Sequence, residues 1–385
     1  MKHSIFLILL PFFGFVNSCG QLSDASNTEN RRIKVGRSPG SVEAGDFNND
    51  KFIDLAVTSE TDSSVTILLG NGKESFTAAA GSPFFAGPQP NDIAIKDFNN
   101  DGNPDLGFAN HENKFLTVLL GNGKGSFTAA AKSPFRVEGI PHTHGIATGD
   151  FNSDRRPDLV TDSWGNDNVE VLFGDSVDLF KTPGVFFKVG KRPYQRLRVA
   201  DINRDKADDI VTTNTEANNV TVLLSDGKGG FNEAAGSPYP CGDAPFGISI
   251  GDLNADEKPD LAIINSPGSM AEGKGKNGLT VLLGDGEGKF TTMKGSPYAS
   301  GKIPNRIAIG DTNGDGVNDI TTSDNDGNKI YLFLMNRNGT VLSQFSITVG
   351  NHPKGIAIAD LNADGKNDIA VCNQLDNDIS IIIGR

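Results

Sequence analysis

The stretch DFNNDKFIDL, residues 46–55, places aspartates at its first, fifth and ninth positions and an asparagine at its third. The block returns as DFNNDGNPDL from Asp97, DFNSDRRPDL from Asp150, DINRDKADDI from Asp201, DLNADEKPDL from Asp252, DTNGDGVNDI from Asp311 and DLNADGKNDI from Asp360. Successive copies stand 51, 53, 51, 51, 59 and 49 residues apart. A period near 50 is too long for helical hairpins or leucine-rich repeats and suits a four-stranded propeller blade.

The flanks of the block agree with that unit. Before it stands a short run in which small residues alternate with aliphatic ones, such as Asp92-Ile93-Ala94-Ile95 or Gly355-Ile356-Ala357-Ile358, as expected of a strand near a crowded axis. After it come a second β-rich run (Leu55-Ala56-Val57-Thr58), a polar turn, and a third run (Val65-Thr66-Ile67-Leu68-Leu69) closed by Gly-Asn-Gly or Asp-Gly turn chemistry. These are strands A, B and C. A phenylalanine (Phe76, Phe127, Phe231, Phe290) then opens a last segment, strand D, that runs into Ser-Pro-Phe or Ser-Pro-Tyr. The expected fold is all-β: a seven-bladed propeller of four-stranded antiparallel blades over residues 31–385. The seventh unit stops after its third strand, Ile379–Ile383, while residues 32–39 (RIKVGRSP) match the ends of other fourth strands. The N-terminal strand is therefore expected to join the last blade and close the ring.

Three carboxylates and an amide oxygen within nine residues form a set of hard oxygen donors, the chemistry of calcium. The candidate ligands are Asp46, Asn48, Asp50 and Asp54; Asp97, Asn99, Asp101 and Asp105; Asp150, Asn152, Asp154 and Asp158; Asp201, Asn203, Asp205 and Asp209; Asp252, Asn254, Asp256 and Asp260; Asp311, Asn313, Asp315 and Asp319; and Asp360, Asn362, Asp364 and Asp368. Metal-free Asx turns are the competing reading. Against it, three converging carboxylates with no cation would raise one another's pKa and cost stability in every repeat. Positions 1, 5 and 9 of these loops hold 21 of the 48 acidic residues, and seven dications would bring the formal charge of −13 to about +1. Position 6 is glycine in three copies (Gly102, Gly316, Gly365), as a sharp turn with positive φ favours, and Lys51, Arg155, Lys206 or Glu257 in the others. The loops at Asp46, Asp150 and Asp201, with a basic residue there, are expected to bind more weakly.

The block resembles the first half of an EF-hand loop, without its Glu at position 12 or its flanking helices. Pattern, period and copy number together resemble the FG-GAP or VCBS repeat family, known from the seven-bladed propeller of integrin α subunits. The resemblance implies up to seven Ca2+ ions, one per blade, held in the A-to-B loop by side chains 1, 3, 5 and 9 and a backbone carbonyl at position 7.

The N-terminus reads as an address. An apolar run from Ile5 to Val16 is too short to span a bilayer as a helix and suits a signal peptide, residues 1–18. Val16-Asn17-Ser18-Cys19 resembles a bacterial lipobox with Cys19 as the lipidated residue; cleavage near Ser18 leaving a free thiol is the alternative. Gly20 after the cysteine implies the outer membrane. Residues 19–30 would then form the lipidated cysteine and a polar tether of at most about 35 Å. The expected location is extracytoplasmic, on the bacterial cell envelope, with the membrane engaged through the lipid alone.

Strand alternation puts the acidic loops and the C-to-D turns on one rim and the B-to-C and D-to-A connections on the other. The second rim collects His111, His142, His144, Trp164, Arg192, Tyr194, Arg196, Arg306 and His352, the candidate ligand-binding residues. His142-Thr143-His144 could offer two metal ligands, but no third is evident in the sequence, and an exposed loop pair is the favoured reading. Tyr239 and Tyr298, within the Ser-Pro-Tyr segments, are expected to pack between blades. Cys241 and Cys372 should remain unpaired thiols. The net negative charge disfavours nucleic acid, and no nucleophile-elbow, zinc-protease or phosphate-loop motif is present. Three functions follow: a calcium-binding adhesion or scaffold module, monomeric and with a protein or carbohydrate ligand; a polysaccharide-acting enzyme of the lyase-propeller kind; or an envelope assembly subunit using the lengthened loop Ser266–Gly278.

Overall fold

Each repeat folds as a meander because its short β-rich runs, aliphatic with small residues in strand A and apolar through strands B and C, are separated by turns whose residues accept positive φ. A computed structural model describes residues 31–140, 142–269 and 275–384. The signal-like run, Cys19 and the tether lie outside the described residues, as does the centre of the lengthened loop at 270–274.

Blade 1 shows the plan: strand A is Pro39–Gly45, B is Asp54–Ser59, C is Ser64–Gly70, and D begins with Phe76–Ala78. They pair antiparallel in that order, Val42 opposite Val57 and Leu55 opposite Leu68. Strand B is buried along its whole length in all seven blades (Asp54–Ser59, Asp105–Asn110, Asp158–Ser163, Asp209–Asn214, Asp260–Asn265, Asp319–Asp324, Asp368–Asn373), because neighbouring blades cover both of its faces.

Strand D departs from a single run. In blades 1, 2 and 4 it is two short pieces separated by the Ser-Pro pair: Phe76–Ala78 with Phe84–Phe85, Phe127–Ala129 with Phe135–Arg136, and Phe231–Glu233 with Tyr239–Pro240. Proline has no N–H for the ladder. The serine fills the gap: the Ser82, Ser133 and Ser237 hydroxyls accept hydrogen bonds from the backbone N–H groups of Ile67, Val118 and Val222 at 2.9–3.0 Å. In blade 3 a small hairpin, Gly174–Asp175 with Leu179–Phe180, precedes strand D at Val185–Lys188. Tyr239 packs between blades 4 and 5 as expected, its ring 5.4 Å from that of Phe290 and its hydroxyl donating to Gly288 O.

The seven A strands contact their neighbours in a closed circle, from Pro39–Gly45 round to Pro353–Ala359 and back. Their small residues permit this: a Cβ on Gly355 would meet Ser41 Cα of blade 1 at 2.8 Å. The strands enclose an axial cavity of about 480 Å³ lined by Ile93, Ile146, Ile307 and Ile356 together with Glu43 and Arg198. The ring closes as the sequence predicts. Arg31–Lys34 pairs antiparallel with Asp378–Ile382, giving blade 7 the order N-terminal strand, C, B, A. Cys241 and Cys372 are buried and unpaired, and burial pushes both thiols up in pKa. Among the described residues no helix is long and apolar enough to cross a membrane.

Candidate functional site

The acidic blocks form near-identical loops between strands A and B. In the first, both carboxylate oxygens of Asp46 accept backbone N–H groups, from Asp50 and Lys51, while Asn48 Oδ1 accepts the N–H of Asp50 and Asp50 Oδ1 that of Phe52. The backbone needed for this is left-handed at two positions in every copy. Position 6 has φ between 63° and 89°, whether it is Gly102 or Lys51, Arg155, Lys206 and Glu257, and position 4 (Asn49, Asn100, Ser153, Arg204, Ala255, Gly314, Ala363) has φ between 57° and 74°. The demand at position 6 was legible from its glycines; that at position 4, glycine in one copy of seven, was not.

Position 9 is a different kind of residue from positions 1, 3 and 5. Each of these seven aspartates is wholly buried. Its two oxygens accept one N–H from position 2 of the loop and one from the end of strand C: Phe47 and Gly70 on Asp54, Ile202 and Ser225 on Asp209, Leu361 and Gly384 on Asp368, at 2.8–3.0 Å. Read in the sequence as a ligand, it is also the strut that ties the loop to the blade. Burial raises Asp54, Asp105, Asp158, Asp209, Asp260 and Asp368 to about 6, against the lowering effect of the two N–H groups; it also raises Asp319, against hydrogen bonds that include one from the Thr312 hydroxyl. In Asp54 the charges of Asp50 and Asp46 add to the rise. Every loop thus presents oxygen donors alone, of which two carboxylates and an amide sit at the exposed end, a set that fits calcium.

The opposite rim gathers residues from three blades. His111 lies in the B-to-C turn of blade 2, His142 and His144 in the connection into blade 3, Trp164 in the B-to-C turn of blade 3, and Arg192 and Tyr194 at the start of blade 4. The structure brings all six together. The ring centroids of His111, His142 and His144 stand 4.7–4.8 Å apart, Trp164 lies 6.0 Å from His142, and Tyr194 lies 4.2 Å from His144. The Arg192 guanidinium carbon sits 4.7 Å from the Trp164 ring centre, a cation–π contact.

The expected exposed histidine pair is corrected here. His144 is wholly buried, because Asp162 on strand B of blade 3 draws it inward: the carboxylate accepts the backbone N–H groups of His144 and Gly145 and lies 3.1 Å from His144 Nδ1. His142 follows it, and the third histidine, 31 positions earlier, comes from the neighbouring blade. Burial, then the charges of its two neighbours, lowers His111 to about 4, and burial lowers His142.

Arg196 and Arg306 are corrected as well. They point into the axis and are 3% and 4% exposed, so they do not form part of an open rim. Arg196 is ion-paired with Asp92, and Arg306 Nη1 reaches Asn305 Oδ1 at 3.0 Å. Both lie where strand A shifts register against strand B, between Pro193 and Leu197 and between Pro304 and Ile307. His352 stands apart from the cluster, its ring nitrogen 3.1 Å from Asn325 Nδ2. Asp162 and Glu112, whose carboxylate lies 3.7 Å from His142 Nδ1, were missed in the sequence, since an acidic residue on strand B or in a turn carries no signal of its own.

Residues 46–108, 97–161, 201–263 and 311–371 match the FG-GAP-like repeat, each segment running from one acidic block through the next. The chain belongs to the FG-GAP-like repeat family. All seven acidic blocks of this FG-GAP-like propeller fall inside the matched segments. No curated protein matches the chain by sequence. Among solved structures it resembles BBS1N in complex with ARL6DN, at a TM-score of 0.60 and 11% identity over 92% of this chain and 97% of that one. It also resembles a functionally unknown protein from Desulfotomaculum acetoxidans, at 0.57 and 13% over 89% and 91%. A third is a catalytically inactive virginiamycin B lyase from Staphylococcus aureus with quinupristin, at 0.56 and 14% over 92% and 99%. At these identities the likeness is one of fold.

Proposed function

We propose that this FG-GAP-like propeller is a calcium-binding module of the bacterial envelope, anchored by lipid at Cys19, that binds a protein or carbohydrate ligand with the rim opposite its calcium loops. The observation that carries the reading is the separation of chemistry between the two rims. One rim repeats the same oxygen-donor loop seven times. The other concentrates the chain's sole tryptophan, three of its five histidines and Arg192 where blades 2, 3 and 4 meet. Aromatic and arginine side chains of this kind anchor interfaces. The complex of BBS1N with ARL6DN supports the reading, as a propeller of this fold with a protein partner.

The test is a count of bound calcium by elemental analysis, with thermal melts in calcium and in chelator. Several ions per chain are expected, and each ion at a thousandfold excess over its Kd contributes about 4 kcal/mol to stability. Little calcium and an unchanged melt would leave the loops as bare turns and remove the reading's support. The mass of the mature N-terminus tests the anchor: a chain without lipid on Cys19 would exclude it.

A further inference from the structure

We propose that His111, His142 and His144 form a binding site for one divalent transition-metal ion of the zinc class, separate from the calcium loops. One ring nitrogen from each histidine lies within 4.8 Å of the other two, and His142 Nε2 and His144 Nε2 stand 3.1 Å apart. Two nitrogens on one tetrahedral zinc, each at about 2.05 Å, are about 3.3 Å apart, so this pair is already spaced for a shared ion. His111 is the third ligand, and its partly exposed side chain, at 32%, has room to close the remaining distance.

The surroundings are those of a metal ligand set. Asp162, 1% exposed, accepts from His144 Nδ1 and so fixes the proton there, which leaves the Nε2 lone pair facing His142. A buried carboxylate behind a histidine is the usual outer partner of a zinc ligand, orienting the ring and raising its basicity. Three imidazoles select zinc, cobalt or copper over calcium, which takes oxygen. The ligands come from two blades and the outer carboxylate from strand B of blade 3, so the propeller's own packing sets the geometry. His111 and His142 face solvent on one side, leaving a fourth position for water or a ligand atom.

The site carries its own reporter. Trp164 is the chain's sole tryptophan, 6.0 and 6.3 Å from the rings of His142 and His144. The full chain, freed of metal and returned to excess calcium, is titrated with Co2+ while tryptophan fluorescence and visible absorption are followed. One equivalent should quench the fluorescence and give the absorption of nitrogen-bound cobalt, and Zn2+ but not further Ca2+ should reverse both. His142→Ala and His111→Ala should each weaken binding at least tenfold, Asp162→Asn by about 10–100-fold, and His352→Ala should leave it unchanged. The wild-type titration decides even if a variant fails to fold. No saturable quenching, quenching reversed by calcium, or equal binding by folded His142→Ala and wild type would each overturn the assignment and leave a hydrogen-bonded histidine cluster.

Discussion

Arg32 on the first strand grips Asp378 on the last with two parallel hydrogen bonds, its Nε and Nη2 each 2.9 Å from a carboxylate oxygen. The two residues are 346 positions apart, and Asp378 is nearly buried, at 4%. A bidentate pair of this kind is stronger and more directional than a single contact. It sits at the one place where the ring is closed by residues distant in sequence.

Removal of residues 31–38 should therefore cost far more than the loss of eight surface residues. It strips the fourth strand from blade 7 and uncovers Asp378–Ile382, which is buried throughout. We expect a loss of more than about 3 kcal/mol for the deletion and about 1–3 kcal/mol for Arg32→Ala, which leaves the nearly buried Asp378 with only the longer Lys34 contact, at 3.4 Å, as its cation. Thermal or urea unfolding measures both, and a melt unchanged by the deletion would refute the closure.

The same clasp predicts an acid dependence. The backbone N–H of Asn351, then the Asn351 side chain and Arg32, hold Asp376 down at about 2, below the ordinary aspartate value of about 3.9. A carboxylate depressed in the folded state adds stability above its unfolded pKa and loses it as pH falls through the folded one. The melting temperature of Asp376→Asn should thus lie below wild type from pH 7 to about pH 4, and the gap should shrink between there and about pH 2. A gap of constant size across that range would show that the ionised form is not what stabilises the closure.

The position-9 strut makes a third prediction. Asp209→Asn would turn an NH2 group toward the N–H of Ile202 or Ser225, leaving a buried donor without an acceptor. Such a loss costs about 1–3 kcal/mol. Urea unfolding in chelator isolates this effect from metal binding. An Asn variant as stable as wild type under those conditions would mean that the buried carboxylate is dispensable as a strut.

The blades, their number and their order were legible in the chain because the information is local and repeated. Aspartates at positions 1, 5 and 9 mark one turn, and the alternation of Ile93-Ala94-Ile95 marks one strand. Ring closure was legible for the same reason, since RIKVGRSP looks like the missing end of a strand D. The Ser-Pro pairs were visible but their role was not, because Ser82 satisfies a backbone group on another strand.

What the sequence by itself determined is the seven-fold blade plan, the acidic loops on one rim and the residue types on the other. Tertiary structure alone decided which of those residues meet. Nothing near His142-Thr143-His144 points to His111 as a neighbour; packing blade 2 against blade 3 puts it there, and Asp162 turns a loop histidine into a buried one. Arg196 and Arg306 go the other way, buried at the axis where their strands shift register and, for Arg196, paired with the charge of Asp92. Short-range periodicity can specify a turn or a strand. The sharing of a site between blades depends on how far each sheet is rotated about a common axis, and that is set by the close packing of all seven sheets at once.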